Sequence, residues 1–284
     1  MSAGGVETAV ATRAMRGAET RARAAARAAL DKPWVVRTLS LVVVLGAWQL
    51  FGNAYSTSFP SDIVRAFPHE FWHHVAPGFA DTLKGFGAGY GVCIVAGIPI
   101  GLAMARSRLV ELICEPYVNA LYATPRLALI PVLILWLGIT FEMRFAVVVV
   151  SGLFPIVLNT YLGGKEVDPN LLDAGRAFNA SGLQTLRTIV VPASLPYIFA
   201  GLRLGMARSF IGIIVAELET SVLGIGNVIN RDVMALRFDH MWVAIVSLGV
   251  FSIAVTALLK WAERWATMPW LRAGRRGGLW PSRA

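Results

Sequence analysis

Long apolar runs without charge constrain this sequence more than any other feature. An α-helix needs about 20 predominantly apolar residues to cross the hydrocarbon core of a bilayer. Residues 85–105, 145–164 and 241–259 form runs of this kind, and none of them contains a charged residue. Only 15% of the whole chain is charged, against about 25% in soluble domains. The chain is therefore predicted to be an integral membrane protein.

Three further apolar runs bring the number of predicted spans to six. Residues 39–54 and 196–218 add two of them, and residues 112–139 add a third that contains three prolines, Pro116, Pro125 and Pro131. Because proline interrupts helical hydrogen bonding, we expect this span to be broken. Gly97 and Gly101, four residues apart in the second span, predict close packing between helices in the bilayer. The predicted fold class is all-α and polytopic.

The basic residues concentrate at the two ends of the chain, whose formal net charge is +9. Basic flanks mark the cytoplasmic side of membrane spans, and an even number of spans agrees with two cytoplasmic termini. We therefore divide the chain into a basic tail (residues 1–37), a transmembrane domain (38–265) and a second basic tail (266–284). Because the charge flanks the spans and does not line one face, nucleic-acid binding is not predicted.

One short motif resembles a zinc site. His69, Glu70 and His73 match H-E-x-x-H, which on a helix presents two imidazoles for zinc and a glutamate as general base. A third ligand is also required, whereas His74 falls on another face and His240 lies far along the chain. Flanking prolines predict that only a short interfacial helix forms here. A membrane zinc metalloprotease therefore remains only an alternative, and no metal site is predicted.

No other motif indicates an enzyme. The sequence contains no G-x-x-x-x-G-K-[ST] phosphate loop, no G-x-S-x-G elbow and no C-x-x-C pair. Cys93 and Cys114 both fall in or beside apolar runs and are interpreted as small buried side chains. We therefore predict a protein that is not itself an enzyme, with no catalytic residue.

The polar segment at residues 168–196 predicts two short helices between two spans. Asp168 is a candidate N-cap with Pro169 at the first helical position. Asn179 stands where a left-handed residue ends a helix. Ser181 and Gln184 form the pattern of a capping box for the second helix, which we expect Pro192 to end. Each helix has an apolar face that it cannot bury alone, so the segment predicts a soluble partner.

This segment resembles the cytoplasmic EAA loop of ABC importer permeases, whose pattern is E-A-A-x-x-x-G followed by I-x-L-P. The matching positions here are Asp173, Ala174, Gly175, Asn179 and Pro192. Aspartate replaces the motif glutamate, and asparagine replaces the motif glycine. Four other stretches resemble the sulfonate/nitrate/taurine-type permeases, and the resemblance covers roughly residues 65–265; these stretches are ATPRLALIPVLILWLGI, FPIVLNT, LPYIFAGLRLGMARSFIGIIVAEL and GIGNVI.

The resemblance implies a type I importer architecture and a set of partners. Two permease subunits, here expected to be identical, form the pathway in the inner membrane of a bacterium. A dimer of ATPase subunits holds the ATP and Mg²⁺, and an external solute-binding protein delivers a small organic sulfonate, nitrate or similar anion. This chain itself is expected to hold no cofactor. The resemblance also implies the residues of the coupling helix pair that contacts the ATPase: Asp173, Ala174, Gly175, Arg176, Asn179 and Pro192.

Two charged residues inside apolar runs are candidates for the substrate pathway. Arg126 follows Pro125 in the third span, and Glu217 lies near the end of the fifth. Charged residues within membrane spans face protein or water and not lipid. Arg126 is predicted either to line the pathway and offer its charge to an anion, or to reach the interface, or to pair with an acid such as Glu115 or Glu217.

Two other classes of protein remain as alternatives to the permease. A secondary transporter needs no ATPase and usually contains internal repeats and paired broken helices, whereas this sequence shows one broken span and no repeat. A membrane-tethered DNA-binding protein would use residues 168–192 as its reading helices. That pair is anchored at both ends and carries only two basic residues, Arg176 and Arg187.

Overall fold

The computed structural model describes residues 32–52, 58–220 and 222–276. Most of the predicted N-terminal tail, residues 1–31, lies outside the described residues, as do residues 277–284. Where the structure is described, it consists of helices and loops without a strand, in agreement with the predicted all-α class. The helices are α1 (Pro33–Phe51), α2 (Pro60–Glu70), α3 (Ala76–Arg106), α4 (Arg108–Ala123), α5 (Ile130–Leu137), α6 (Phe141–Lys165), α7 (Pro169–Ala177), α8 (Gly182–Thr185), α9 (Val191–Thr220), α10 (Gly224–Met234) and α11 (Phe238–Arg276).

Five helical stretches of the described chain are long and apolar enough to cross a membrane. A sixth arises if the bent pair of residues 108–123 and 126–137 is one span. The two members of this pair meet at 90°, and a short 3-10 turn, Arg126–Leu129, lies between α4 and α5. Because Pro125 has extended dihedral angles immediately before that turn, the helix is broken where the sequence predicted. The chain is a polytopic membrane protein.

Helix α6 packs against both α3 and α9 and is the centre of the unit that begins at Ala66. Helices α10 and α11 contact each other and α9. One buried apolar cluster joins side chains from α3, α6 and α9: Phe86, Val148, Met206, Phe210 and Ile213. Apolar burial and dispersion contacts between these helices hold the described core together.

Two glycines let α3 approach α6 closely, as their spacing predicted. A Cβ added at Gly97 would lie 2.9 Å from Cγ2 of Ile156, and one added at Gly101 would lie 2.6 Å from the carbonyl oxygen of Val157. Neither position has room for a larger side chain without a shift of the facing helix. Close contact of backbones is a usual basis of helix association in lipid.

The polar stretch before the second span differs from its prediction. Residues 60–106 are continuously helical, through α2, a π turn at Phe71–Val75 and α3. Pro68 lies inside α2, and Pro77 lies in the first turn of α3. The prediction of a short helix ended by both prolines was therefore wrong.

The π turn accounts for this continuity at Pro77. The N–H of Ala76, the residue before the proline, donates to the carbonyl of Phe71, five residues back. A regular α-helix would instead place the proline ring against the carbonyl four residues earlier. The π turn shifts the backbone hydrogen bond from the carbonyl four residues back to the one five residues back. The chain therefore stays helical through Pro77.

Candidate functional site: the coupling segment and buried charges

The segment predicted to contact an ATPase, here called the coupling segment (residues 168–192), begins with the helix cap that the sequence predicted. The Asp168 Oδ1 accepts a hydrogen bond of 2.9 Å from the N–H of Asn170, and Pro169 is the first residue of α7. Asp168 therefore satisfies one backbone donor that the helix itself leaves unpaired.

The turn between α7 and α8 is closed by backbone and side-chain bonds. Asn179 has a φ of 58°, and its N–H donates to the carbonyl of Arg176 while that of Ala180 donates to Gly175. This 6→1 and 5→2 pair is the Schellman arrangement. Ser181 and Gln184 then form the predicted capping box. The turn therefore has a defined geometry that these cap hydrogen bonds maintain.

The coupling segment packs one face and exposes the other. Gly175 is buried, and a Cβ there would lie 3.0 Å from Cδ1 of Ile189. The packed face joins an apolar cluster that includes Leu172, Leu186 and Ile189. On the exposed face, 87% of Phe178 is accessible, as are about half of Leu171 and Leu183. We call these three exposed side chains the apolar face of the coupling segment.

The charged residues of the coupling segment lie on its exposed side. Asp173 and Arg176 form an ion pair of 3.0 Å, and both side chains are largely accessible. Ala174 and Asn179 are exposed as well. Five of the six residues that the resemblance implied, all except Pro192, therefore lie together on α7 and the turn that follows it.

Pro192 does not end a helix, which corrects the prediction. A π turn at Leu186–Val190 joins α8 to α9, and helix continues from Gly182 to Thr220. The N–H of Val191, directly before the proline, donates to the carbonyl of Leu186. As at Pro77, the wider turn precedes the proline and keeps the chain helical. The second coupling helix is therefore the end of the fifth span and not a separate helix.

Arg126 lies at the break between α4 and α5. Its Nη2 donates to the carbonyl oxygen of Tyr122 at 2.6 Å, and its guanidinium lies 5.2 Å from the centre of the Tyr122 ring. Its Nε is buried and has no hydrogen-bond partner among the described residues. The 3-10 turn that carries Arg126 packs against α9, and Arg208 of that helix is near enough for the two charges to interact.

In the described structure, Arg126 is not paired with either of the acidic residues that were predicted as its partners. The described residues show no ion pair between Arg126 and either Glu115 or Glu217. Arg208 is a charged residue in an apolar span, as Arg126 is, but it was not predicted to lie near Arg126.

Glu217 lies in a buried junction of four helices. Its side chain is fully buried, and the Oγ1 of Thr82 donates to both carboxylate oxygens, at 3.0 and 2.8 Å. The N–H of Gly226 donates to Oε2 at 3.1 Å. Arg144 approaches Oε1 at 3.7 Å. We call Thr82, Arg144, Glu217, Gly224 and Gly226 the Glu217 junction.

The backbone of α10 fits around this carboxylate. Gly224 has a φ of 89°, and a Cβ there would lie only 2.1 Å from the Glu217 Cδ. The N–H of Ile225 donates to the Oγ1 of Thr82 at 2.9 Å. Gly224 and Gly226, the two glycines of the GIGNVI stretch, therefore leave room for a buried carboxylate. The sequence placed Glu217 in the candidate pathway, but its described surroundings are protein on all sides.

The histidines of the H-E-x-x-H match do not face a common centre with the glutamate. The His69 and His73 rings stack on each other with 4.4 Å between their centres. Glu70 is fully buried, with His240 Nδ1 at 2.6 Å and His74 Nδ1 at 3.1 Å from its oxygens. No group of three or more potential ligands in the described parts of the chain is placed to hold a metal ion.

Glu70 instead joins the end of α2 to α10 and to the start of α11. Arg231 of α10 donates to it at 3.2 Å, and the same arginine contacts the buried Asp232. Asp232 also pairs with Arg237 at 2.5 Å. His74 and His240, which were not predicted to join His69 and His73 at a zinc site, both contact Glu70.

The described chain combines apolar helices long enough to span a membrane, one broken span and a capped, partly exposed segment before the fifth span. The chain belongs to the family described as the binding-protein-dependent transport system inner membrane component, which it matches over residues 97–267. The predicted family resemblance is thereby confirmed.

Individual relatives agree with this assignment. The chain is 30% identical over 228 residues to the putative aliphatic sulfonates transport permease protein SsuC of Escherichia coli strain K12, covering 76% of this chain and 85% of that one. It is 25% identical over 245 residues to the nitrate import permease protein NrtB of a Synechocystis strain, covering 81% and 89%. The taurine transport system permease protein TauC of Escherichia coli is 25% identical over 240 residues, covering 84% of each chain.

A solved structure shows the same fold. A chain of the inward-facing MetNI methionine ABC transporter superposes with a TM-score of 0.56 at 18% sequence identity, covering 68% of this chain and 96% of that chain. At this identity the likeness concerns the arrangement of helices. The predicted six-helix permease architecture agrees with it.

Proposed function

We propose that this chain forms the translocation pathway of an ATP-driven importer for a small anionic solute, such as an organic sulfonate or nitrate. The support for the solute class comes from relatives named for aliphatic sulfonates, nitrate and taurine. The chain itself is a permease and not an enzyme, with no cofactor of its own. ATP and Mg²⁺ are bound by a dimer of partner ATPase subunits.

The observation that carries the proposal is the exposed apolar face of the coupling segment. Phe178 is almost fully accessible at the end of a helix whose caps are complete. An exposed aromatic beside apolar neighbours is typical of a docking anchor. The ion pair of Asp173 and Arg176 lies on the same exposed side. We propose that Asp173, Ala174, Arg176 and Asn179 dock on the ATPase, that Gly175 supports them by packing against Ile189, and that Pro192 marks the connection to the fifth span.

The remaining partners follow from the same proposal. A second permease subunit, a copy of this chain, completes the pathway, and an external solute-binding protein delivers the solute. The protein lies in the inner membrane of a bacterium with both termini in the cytoplasm, because the basic residues flank the first and last spans. The coupling segment then faces the cytoplasm, where ATP is available.

Arg126 is the pathway residue that we propose to contact the solute. It lies at the break of a span, and its buried Nε has no partner in the described structure. A guanidinium presents several fixed donors to a carboxylate, sulfonate or nitrate group. Glu217 does not touch the anion in this proposal, and its role is to hold α10 in place.

Reconstitution tests the proposal. The chain would be purified with its ATPase and binding protein and placed in liposomes with a panel of taurine, an alkanesulfonate, nitrate, methionine and phosphate. We expect one of the first three solutes to stimulate ATP hydrolysis and to accumulate inside only when ATP is present. Solute uptake driven by an ion gradient, without the ATPase, would instead show a secondary transporter. Copurification of differently tagged copies tests the homodimer.

A further inference from the structure

A charged cavity lies between α9 and α11, away from the Glu217 junction and the coupling segment. Its volume is about 420 Å³, and it is lined by Arg203 of α9 and by Lys260, Glu263 and Arg264 of α11. Nothing in the proposed transport function uses this cavity. Its dimensions and polar lining suit a small charged group more than an apolar one.

The charges of the cavity favour an anion. Arg203 and Glu263 form an ion pair and are each about three-quarters buried. The pair holds the Arg203 guanidinium in one place. Lys260 and Arg264, one helical turn apart, are exposed. Three cations and one carboxylate give the lining a formal charge of +2. Arginine forks and lysine ammonium groups together are the usual protein donors to phosphate oxygens.

The surroundings place the cavity at the depth of lipid headgroups. Trp261 and Trp265 are exposed on the same two turns of α11. Tryptophan side chains prefer the interface between the hydrocarbon core and water. The preceding turns expose Val250, Ile253 and Leu258, which form an apolar surface suited to acyl chains. An occupant of this cavity can therefore place a charged head among the basic residues and apolar tails along α11.

Basic residues that follow the cavity residues in the sequence also favour an anionic occupant. Arg272, Arg275 and Arg276 follow in sequence. Clusters of basic residues directly beyond the end of a span are typical of sites for anionic lipid. We propose that the cavity of Arg203, Lys260, Glu263 and Arg264 binds the phosphate of an anionic phospholipid headgroup, with the acyl chains lying against α11. This site requires only that the chain is embedded in a bilayer and does not depend on the transported solute.

Native mass spectrometry of the purified full-length protein tests the site. The protein would be stripped of lipid in detergent and titrated with phosphatidylglycerol or with phosphatidylcholine of the same chains. We expect one phosphatidylglycerol per chain to bind preferentially. In the double variant Lys260→Gln, Arg264→Gln its affinity should fall roughly tenfold or more, because two of the three cations are lost. The variant Lys260→Arg, Arg264→Lys keeps the charge and should keep the bound lipid.

The double variant Arg65→Gln, Lys84→Gln is the control, since both side chains are basic, mostly exposed and outside the cavity. It should bind phosphatidylglycerol as the wild type does. An equal loss in this control would mean that net charge alone holds the lipid, and unchanged binding in the Lys260→Gln, Arg264→Gln variant would place the lipid elsewhere. Either result overturns the proposal.

A final arm distinguishes a lipid from a free anion. Millimolar inorganic phosphate would be added to the lipid-loaded wild type. We expect the lipid to remain bound, because the acyl chains contribute contacts with α11 that phosphate lacks. If inorganic phosphate displaces the lipid and itself binds the stripped protein as tightly, the cavity is a site for soluble phosphate and the lipid assignment is wrong.

Discussion

Glu217 is a carboxylate that three neighbouring groups hold in the interior of the helices. Thr82 and the N–H of Gly226 donate to it, and Arg144 provides a nearby positive charge. A buried carboxylate is tolerated only where such partners replace its hydration. Because the partners come from α3, α6 and α10, the residue connects separate parts of the chain. Its loss should therefore affect stability before it affects any contact with solute.

We predict that Glu217→Gln lowers the stability of the protein by about 1–3 kcal/mol, since an amide cannot accept all the hydrogen bonds donated to the carboxylate. Gly224→Ala should destabilise more, because the added methyl collides with the Glu217 carboxylate and the backbone has a φ of 89°. Thermal unfolding in detergent, followed by fluorescence-detected size exclusion, measures both as a lower Tm.

Gly249→Ala is the matched control for this pair. Gly249 lies in α11 and has no heavy atom within 4 Å of an added Cβ. Its Tm should be unchanged or slightly higher, since alanine favours helix. A Gly224→Ala protein as stable as Gly249→Ala would contradict the described junction.

Arg126 lies outside the Glu217 junction, and its substitution should affect the rate of solute transport. We predict that Arg126→Gln inserts and assembles normally and keeps basal ATPase activity. Its solute-stimulated transport should fall about tenfold or more, because a charged donor to the anion is lost. Arg126→Lys keeps the charge without the fork and should retain part of the rate. Uptake by reconstituted liposomes gives the measurement.

Two results would remove Arg126 from the pathway. Wild-type transport by Arg126→Gln would show that the solute does not need this charge. Failure of the variant to assemble would show that the bond to the Tyr122 carbonyl is structural. Arg65→Gln, an exposed arginine in α2, is the control and should transport normally.

The coupling segment has a defined shape because the start of α7, the turn after α7 and the start of α8 are all capped. Asp168, Asn179 and Ser181 satisfy backbone groups locally, so the turn does not need a partner to order it. The apolar face of Leu171, Phe178 and Leu183 remains exposed. An ordered surface binds without a large loss of conformational entropy. Substitutions on this face should therefore weaken docking without unfolding the segment.

We predict that Phe178→Asp leaves the permease folded and inserted but weakens its association with the ATPase by roughly thirtyfold or more, as for a central aromatic anchor. Asp173→Arg should uncouple ATP hydrolysis from transport or detach the ATPase. Copurification of the ATPase with tagged permease, and the ratio of solute moved to ATP hydrolysed, measure the two effects.

A simpler role for Asp173 gives a different result. An exposed aspartate that only pairs with Arg176, three residues on, contributes a few tenths of a kcal/mol to its helix. In that case Asp173→Arg would retain both the ATPase and transport. Trp72→Asp is the control for Phe178→Asp, because Trp72 is similarly exposed, at 71%, but far from the coupling segment in sequence. It should keep the ATPase.

At the scale of the whole molecule, the charge pattern predicts which side of the membrane each segment faces. Single cysteines at Ser61, Asn170 and Met234 in a cysteine-free background would be labelled in intact cells with a membrane-impermeant thiol reagent. All three positions are exposed. We expect labelling at Ser61 and Met234 and none at Asn170, whose labelling would require lysis. Labelling of Asn170 in intact cells would reverse the topology and remove the coupling segment from the cytoplasm.

Local features of the molecule could be predicted from sequence, and those that join distant segments could not. The caps at Asp168, Asn179 and Ser181 depend on neighbouring residues, so their patterns were sufficient. The prolines led to wrong predictions, because a proline usually ends a helix. The π turns before Pro77 and Pro192 depend on packing on both sides of the helix, which the local sequence does not show.

Contacts between residues far apart in the sequence are the other feature that could not be predicted. Thr82 and Glu217 are 135 residues apart, and Glu70 and His240 are 170 apart. A single sequence indicates that a charged residue in an apolar run needs a partner, but many partners are available. Only the packing of the helices selects Thr82 for Glu217 and His240 for Glu70.

The continuity of helix from Gly182 to Thr220 has a mechanical consequence. These 39 residues extend over about 58 Å at 1.5 Å per residue. The apolar surface of the coupling segment lies at one end of this lever arm, and Glu217 lies near the other. A tilt of about 5° about one end moves the other by about 5 Å, close to one helical turn. If the ATPase docks on the coupling segment as proposed, a small rotation there becomes a displacement large enough to separate Glu217 from the glycines of α10.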